Sequence, residues 1–146
     1  MNTVPGTELK EFNCLYKEMD DLYHDLALKS GTSDSAFSIL YTIVELGDGC
    51  LQKDIAEWNH ISRQTVNSSV KNLQAKGYLS LKHGERRDMH IYLTPSGQRF
   101  VEEHILPIIQ MENNAFSEMS PEESRELLRL TKKYVGLFRQ KVHEFL

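Results

Sequence analysis

Ser62, Arg63, Gln64, Asn67, Ser68 and Lys71 bring hydroxyls, carboxamides and cations together within ten residues. Between them stand Val66, Val70 and Leu73, stepping by four and three. On a helix the three apolar residues share one face, and Arg63, Gln64, Asn67, Ser68 and Lys71 share the opposite one. That set of types suits the edge of a base pair. Arginine pairs with guanine through two bonds, and Gln or Asn pairs with adenine through two. Ser62, Ser68 and Lys71 suit phosphate oxygens, which fix register rather than sequence. A second basic group follows in the charged stretch Lys82 to Met89, where Arg86 and Arg87 could enter a narrow minor groove.

The elements that must hold these residues are legible in outline. Ser62 is a good N-cap for a helix ending near Lys76, with Gly77 just beyond it. A shorter helix precedes it, about Gln52 to Trp58, with Leu51, Ile55 and Trp58 on one side. Only Asn59 to Ser62 connect the two. Tyr78-Leu79-Ser80-Leu81 and His90-Ile91-Tyr92-Leu93 alternate loosely and flank the charged stretch, which reads as a β-hairpin with a long basic tip. Two short helices, a tight turn and a basic hairpin make a winged helix-turn-helix, whose second helix enters the major groove. A polar outward face is usually only a solvated one. The turn, the divided helix, the basic hairpin and the local charge together outweigh that reading.

Outside this segment the chain reads as helix. Leu9, Phe12, Tyr16, Met19, Tyr23 and Leu26 form one seam on a helix from about Glu8 to Lys29. Ser33 or Asp34 caps the next, with Phe37, Leu40, Tyr41 and Val44 on one face. Thr94-Pro95 starts a helix from about Ser96 to Glu118, which Pro107 should kink. Ser120-Pro121-Glu122-Glu123 is a capping box opening a last helix with Leu127, Leu130, Tyr134, Leu137 and Phe145 in a seam. The fold class is mostly α with a small β-hairpin wing, a winged helix-turn-helix flanked by N- and C-terminal dimerisation helices. Residues 1–146 form one domain, 35–93 its DNA-binding part, and 8–30 and 96–146 its dimerisation helices. Those terminal seams are more than one small domain readily covers, and a two-fold dimer is the usual way to bury them.

Composition narrows the function. With 40% apolar and 26% charged residues over 146 positions, the chain is neither disordered nor a disulfide scaffold. Its apolar runs are too short to span a membrane, and no secretion signal is visible at the start. Cys14 and Cys50 fit reduced thiols in a cytoplasmic protein. The net charge of −4 conceals a gradient. From His60 to Leu93 six Lys/Arg meet two acids, a local +4, so the remainder carries −8. A basic segment in an acidic protein is the footprint of a phosphate-binding face. The six histidines lack zinc-site spacing, so neither metal nor cofactor is expected. No nucleophile–base set or glycine-rich phosphate loop suggests an enzyme. His83 and His90 flank the wing, where protonation would modestly raise DNA affinity.

Taken in order, Leu51-x3-Ile55-Ala56, Ile61-Ser62-Arg63-Gln64-Thr65-Val66-Asn67-x2-Val70-x2-Leu73-x3-Gly77-Tyr78-Leu79, Glu85-Arg86-Arg87 and Leu93-Thr94-Pro95-x-Gly97 resemble the MarR family (multiple antibiotic resistance regulators) over nearly the whole chain. Three positions depart from its pattern. Glu85 replaces an Asp that fixes the neighbouring arginine, His60 replaces a turn glycine and must therefore tolerate a left-handed or nearby backbone, and Ser69 occupies a usually apolar site. The resemblance implies a sequence-specific regulator of double-stranded DNA, a ligand-responsive repressor working as a homodimer on a near-palindromic operator. It implies DNA contacts from Ser62, Arg63, Gln64, Thr65, Asn67, Ser68 and Lys71 of the second helix and from Arg86 and Arg87 of the wing. A small aromatic or phenolic effector is implied too, with Tyr16, Tyr23, Phe37 and Tyr41 as candidate lining, although aromatics at helical spacing more often belong to a core. Some relatives sense peroxide through a cysteine near Cys14, where a small buried thiol is the commoner reading. A winged module serving protein–protein assembly is the competing function; it would bind all DNA weakly.

Overall fold

The computed structural model describes residues 3–146. In chain order the elements are α1 (Thr7–Lys29), α2 (Asp34–Leu46), α3 (Gln52–Asn59), α4 (Arg63–Ala75), β1 (Leu79–His83), β2 (Met89–Leu93), α5 (Pro95–Phe100), a π-helical turn (Val101–Ile105), α6 (Leu106–Glu118) and α7 (Pro121–Phe145). The chain is mostly helical with one antiparallel hairpin, as its sequence leads one to expect. It divides into two compact units, one ending at Ile105 and the other running Leu106–Leu146.

Side-chain caps start most helices where expected, because each hydroxyl satisfies an otherwise orphaned N–H. Ser33 Oγ accepts from Ala36 N at 3.1 Å, Ser62 Oγ from Thr65 N at 3.1 Å, and Thr94 Oγ1 from Gly97 N at 3.0 Å. In the second unit, Ser120 and Glu123 complete the capping box in both directions, at 3.1 and 2.8 Å. The helix expected from about Ser96 to Glu118 is instead three pieces. Pro107 cannot donate to the carbonyl four residues back, and a widened turn lies just before it in the chain.

The core of the first unit is built by α2, α3, α4, the hairpin and the π turn. Ile39, Leu40, Ile43, Ile55, Val66, Val70, Leu73, Leu79, Ile91, Val101 and Ile105 are buried. Trp58 is the exception to the expected inner side of α3. It is 55% exposed, and its indole Nε1 donates to Glu45 Oε1 at 3.2 Å, while Ala56 takes the buried place. The hairpin pairs Leu79 with Leu93 through His83 with Met89. A further strand-like link was not foreseen. Leu51 bridges His90, Gly49 N donates to Ile91 O at 2.8 Å, and Ile91 N donates to Cys50 O at 2.9 Å. The wing is thereby fastened to the segment that starts α3.

The terminal helices keep their apolar seams outward. On α1, Leu9, Tyr16, Met19 and Tyr23 are exposed and only Ala27 is buried. No residue of α7 is buried; Leu127, Leu130, Tyr134 and Leu137 are exposed, and Leu128, Val135 and Phe138 widen the face beyond the predicted seam.

Candidate nucleic-acid interface

The turn between α3 and α4 sets the angle of the second helix. His60 adopts φ 52°, ψ 42°, the left-handed region expected of a residue standing at a turn-glycine position. Its N–H returns to Glu57 O at 3.3 Å and that of Ile61 to Ala56 O at 3.1 Å, which closes the end of α3. Asn59 Nδ2 donates to the buried Thr42 Oγ1 at 2.8 Å, tying this turn to α2.

Helix α4 divides as its pattern requires. Val66, Val70 and Leu73 are fully buried, and Ser69 joins them inside. Arg63, Gln64, Thr65, Asn67, Ser68 and Lys71 are all exposed, as is the cap Ser62. Ser62 and Thr65 also share a hydroxyl–hydroxyl bond of 2.8 Å at the helix start. Arg86 and Arg87 are exposed at the hairpin tip, where Gly84 N closes onto Asp88 O at 2.8 Å. Arg87 adopts φ 62°, a left-handed backbone that a non-glycine residue takes only at a cost. At the stem, the Lys82 ammonium sits 5.0 Å from the Tyr92 ring centre, within cation–π range.

A groove of about 360 Å³ joins these parts. It is lined by Leu51, Gln52 and Lys53 of the α3 start, Arg63 and Asn67 of α4, and Arg87, Asp88 and Met89 of the wing. Three cations against one carboxylate leave it positive, as a phosphate-binding surface requires. Three of the predicted residues, Arg63, Asn67 and Arg87, therefore meet in one place. Gln64, Thr65, Ser68, Lys71 and Arg86 lie exposed on the same two elements and do not line this groove. Gln52 and Lys53 were missed. Charge counted from His60 onward left Lys53 out, though a basic residue in the first turn of the bracing helix was a usable signal. Gln52 Nε2 donates to Asn67 Oδ1 at 3.3 Å.

The effector candidates lie on α1 and α2. Tyr16 and Tyr23 are exposed, Phe37 is buried and Tyr41 half-buried, with the Phe37 and Tyr41 ring centres 6.3 Å apart. Neither the groove above nor a second one of about 490 Å³, lined by Leu46, Gly49, Cys50, Leu51, Asp54, Glu57 and Trp58, includes them. Both cysteines are free. Cys14 is exposed rather than buried in the single chain, whereas burial pushes the half-buried Cys50 thiol above its ordinary range. Among the described residues no group of three or more His, Cys, Asp and Glu could hold a metal ion, and no helix is long and apolar enough to cross a membrane.

Comparison with known proteins bears on this geometry. Residues 30–87 match the profile of the MarR family. An uncharacterized HTH-type transcriptional regulator of Bacillus subtilis, YwoH, is 23% identical over 106 residues, 72% of this chain and 77% of its own length. NMB1585, a MarR family regulator from Neisseria meningitidis, superposes with a TM-score of 0.81 over 97% of this chain and all of its own, at 18% identity. MepR of Staphylococcus aureus, in complex with DNA, gives a TM-score of 0.70 at 25% identity, over 90% of this chain and 98% of its own.

Proposed function

We propose that the chain, whose residues 30–87 match the profile of the MarR family, is a transcription regulator of that family and not an enzyme, and that it reads double-stranded DNA as a homodimer and represses transcription. In this reading residues 35–93 contact DNA, with α4 in the major groove and the wing in the minor groove, and residues 8–30 and 96–146 hold the dimer. The protein is cytoplasmic, and its operator is a near-palindrome with half-sites one helical turn apart. One observation carries the proposal: α4 buries Val66, Val70 and Leu73 while Arg63 and Asn67 meet Arg87 of the wing in a single cationic groove. MepR, a solved relative of the same fold, binds DNA.

The test is the anisotropy of a labelled duplex from the region upstream of the coding sequence, with an unrelated duplex as control, over a salt series. Tight, salt-dependent and sequence-preferring binding supports the proposal. Arg87→Ala then weakens binding to all sequences and lowers the salt slope by about one unit. Gln64→Ala costs about 1–3 kcal/mol at particular base pairs and relaxes preference there. If duplexes selected from random DNA bind no better than the control, the winged module serves a protein partner instead.

The dimer rests on the outward apolar faces of α1 and α7. Sedimentation of the wild type should give twice the chain mass, and Leu130→Glu with Leu137→Glu should halve it. A monomeric wild type would exclude the two-half-site operator. The effector is proposed as a small aromatic or phenolic molecule near Tyr16, Tyr23, Phe37 and Tyr41, favouring a spacing of reading helices that no longer fits DNA. Release of DNA by such a compound, abolished in Tyr41→Ala, supports that assignment. The exposure of Cys14 keeps a peroxide-responsive reading in view. Unchanged DNA affinity after peroxide, with Cys14 shown to react, ends it.

A further inference from the structure

We propose that Gln52 is a specificity-determining positioning residue: its carboxamide holds that of Asn67, turns the Asn67 oxygen toward α3 and presents the Asn67 amide donors to a base. The proposal rests on the reading that α4 lies in the major groove.

A free asparagine side chain reads adenine through two bonds, accepting from N6 and donating to N7. Here one lone pair of the acceptor is engaged and the oxygen is drawn toward α3, because Gln52 Nε2 donates to Asn67 Oδ1 at 3.3 Å across the start of the groove. The bond fixes the plane of the Asn67 amide and keeps its oxygen turned toward α3. The Nδ2 hydrogens remain, and they suit an acceptor: N7 of either purine, O6 of guanine, or O4 of thymine, without the second bond that singles out adenine.

The residue doing the holding is itself well placed. Gln52 opens α3, half-buried, one residue after Leu51. Leu51 is bridged to His90, and the preceding Cys50 carbonyl accepts from Ile91 N at 2.9 Å. The wing strand, the start of α3 and the reading face of α4 are thus linked through Gln52. Asn67, by contrast, is exposed on α4 and would otherwise sample several rotamers.

The experiment is selection of duplexes from random double-stranded DNA, read as base preference at each position, for the wild type, Gln52→Ala, Gln52→Glu and Asn67→Ala. Asn67→Ala identifies the base pair that Asn67 reads. Gln52→Ala is expected to move preference at that base pair toward adenine, by about fivefold or more, with other positions unchanged. In Gln52→Glu the carboxylate accepts from Asn67 Nδ2 and turns its oxygen to the groove, so preference there swings to bases that present a donor. Thermal unfolding of each variant checks that α3 still packs. If Gln52→Ala keeps the wild-type profile while Asn67→Ala changes it, Gln52 only braces the helices and the proposal is overturned. If the wild type shows no base preference, or Asn67→Ala alters no single position, base reading by this face fails and the proposal fails with it.

Discussion

Replacing Gly97 with alanine should unfold this protein about 7 °C early, although a helix ordinarily welcomes the change. Helix propensity alone gives Gly→Ala a gain of roughly 0.5–1 kcal/mol. Gly97, however, lies in the first turn of α5, buried against Tyr78, the residue just before β1. A Cβ built there stands 2.0 Å from the Tyr78 carbonyl oxygen, 2.9 Å from its carbon and 3.2 Å from its Cα, where ordinary contact begins at 3.4 Å. About 1.4 Å must open, and both sides are backbone. Tyr78 cannot retreat freely. Its N–H donates to Leu73 O at 3.0 Å, its carbonyl accepts from Thr94 N at 3.0 Å, and its ring packs 4.8 Å from that of Phe100. Helix α5 is held in turn by Thr94, whose hydroxyl accepts from Gly97 N and donates to Gly77 O. Overpacking costs about 1–3 kcal/mol, and a displaced cap about 1 more. Less the helix gain, the net loss is about 1–3.5 kcal/mol, which for a chain near 150 residues lowers Tm by about 2–4 °C per kcal/mol. Circular dichroism melts at one fixed protomer concentration read this directly, since the Tm of a dimer shifts with concentration. An unchanged or raised Tm would refute the close approach.

Three further outcomes are expected. His60→Gly relieves a left-handed backbone worth about 1–2 kcal/mol but loosens the unfolded chain by about 0.5–1, so urea unfolding should show a gain of up to about 1.5 kcal/mol; a loss would mean that the imidazole makes stabilising contacts. Asp34, hydrogen-bonded to His24 Nδ1 at 2.8 Å, raises the pKa of that histidine first through the bond and then through its charge. The folded form therefore holds the proton more tightly, and the contribution is complete below the ordinary value of 6.5 and lost as pH rises through the higher folded value; an NMR titration of His24 whose midpoint does not fall in Asp34→Asn contradicts this. Cys50, raised by burial first and by Asp48 and Asp54 after it, should react with an aromatic disulfide more slowly in the folded Cys14→Ser protein than in urea, and faster in Asp54→Asn; equal folded and unfolded rates would remove the burial argument.

The parts of this fold that the sequence announces are those governed by local rules. Ser33, Ser62, Thr94-Pro95 and Ser120 mark helix starts because a hydroxyl caps the same donors wherever it occurs. Val66, Val70 and Leu73 reveal the buried side of α4 because three turns suffice to show a period. Helix α3 has eight residues, too few to tell an inner Trp58 from an outer one, and Trp58 went the other way. The Leu51–His90 bridge is a single pairing and has no period at all. The three-piece course around Pro107 escapes as well, because a missing donor says that the ladder must change, not how. Of the site, the exposed face of α4 was legible from spacing. The meeting of Arg63, Asn67 and Arg87 with Gln52 and Lys53 was not, because it depends on where the hairpin returns against α3.

Trp58 is the only tryptophan in the chain, and it stands on the bracing helix, half in water, tethered to Glu45 of α2. All indole emission from the unlabelled protein therefore originates at one known point of the helix-turn-helix. A water-facing indole emits toward the red, and its brightness responds to the carboxylate beside it. A shift of α3 against α2 would part Trp58 from Glu45 and change both colour and intensity. The protein thus carries its own optical gauge, one that registers movement within the reading module independently of whether a duplex has been captured.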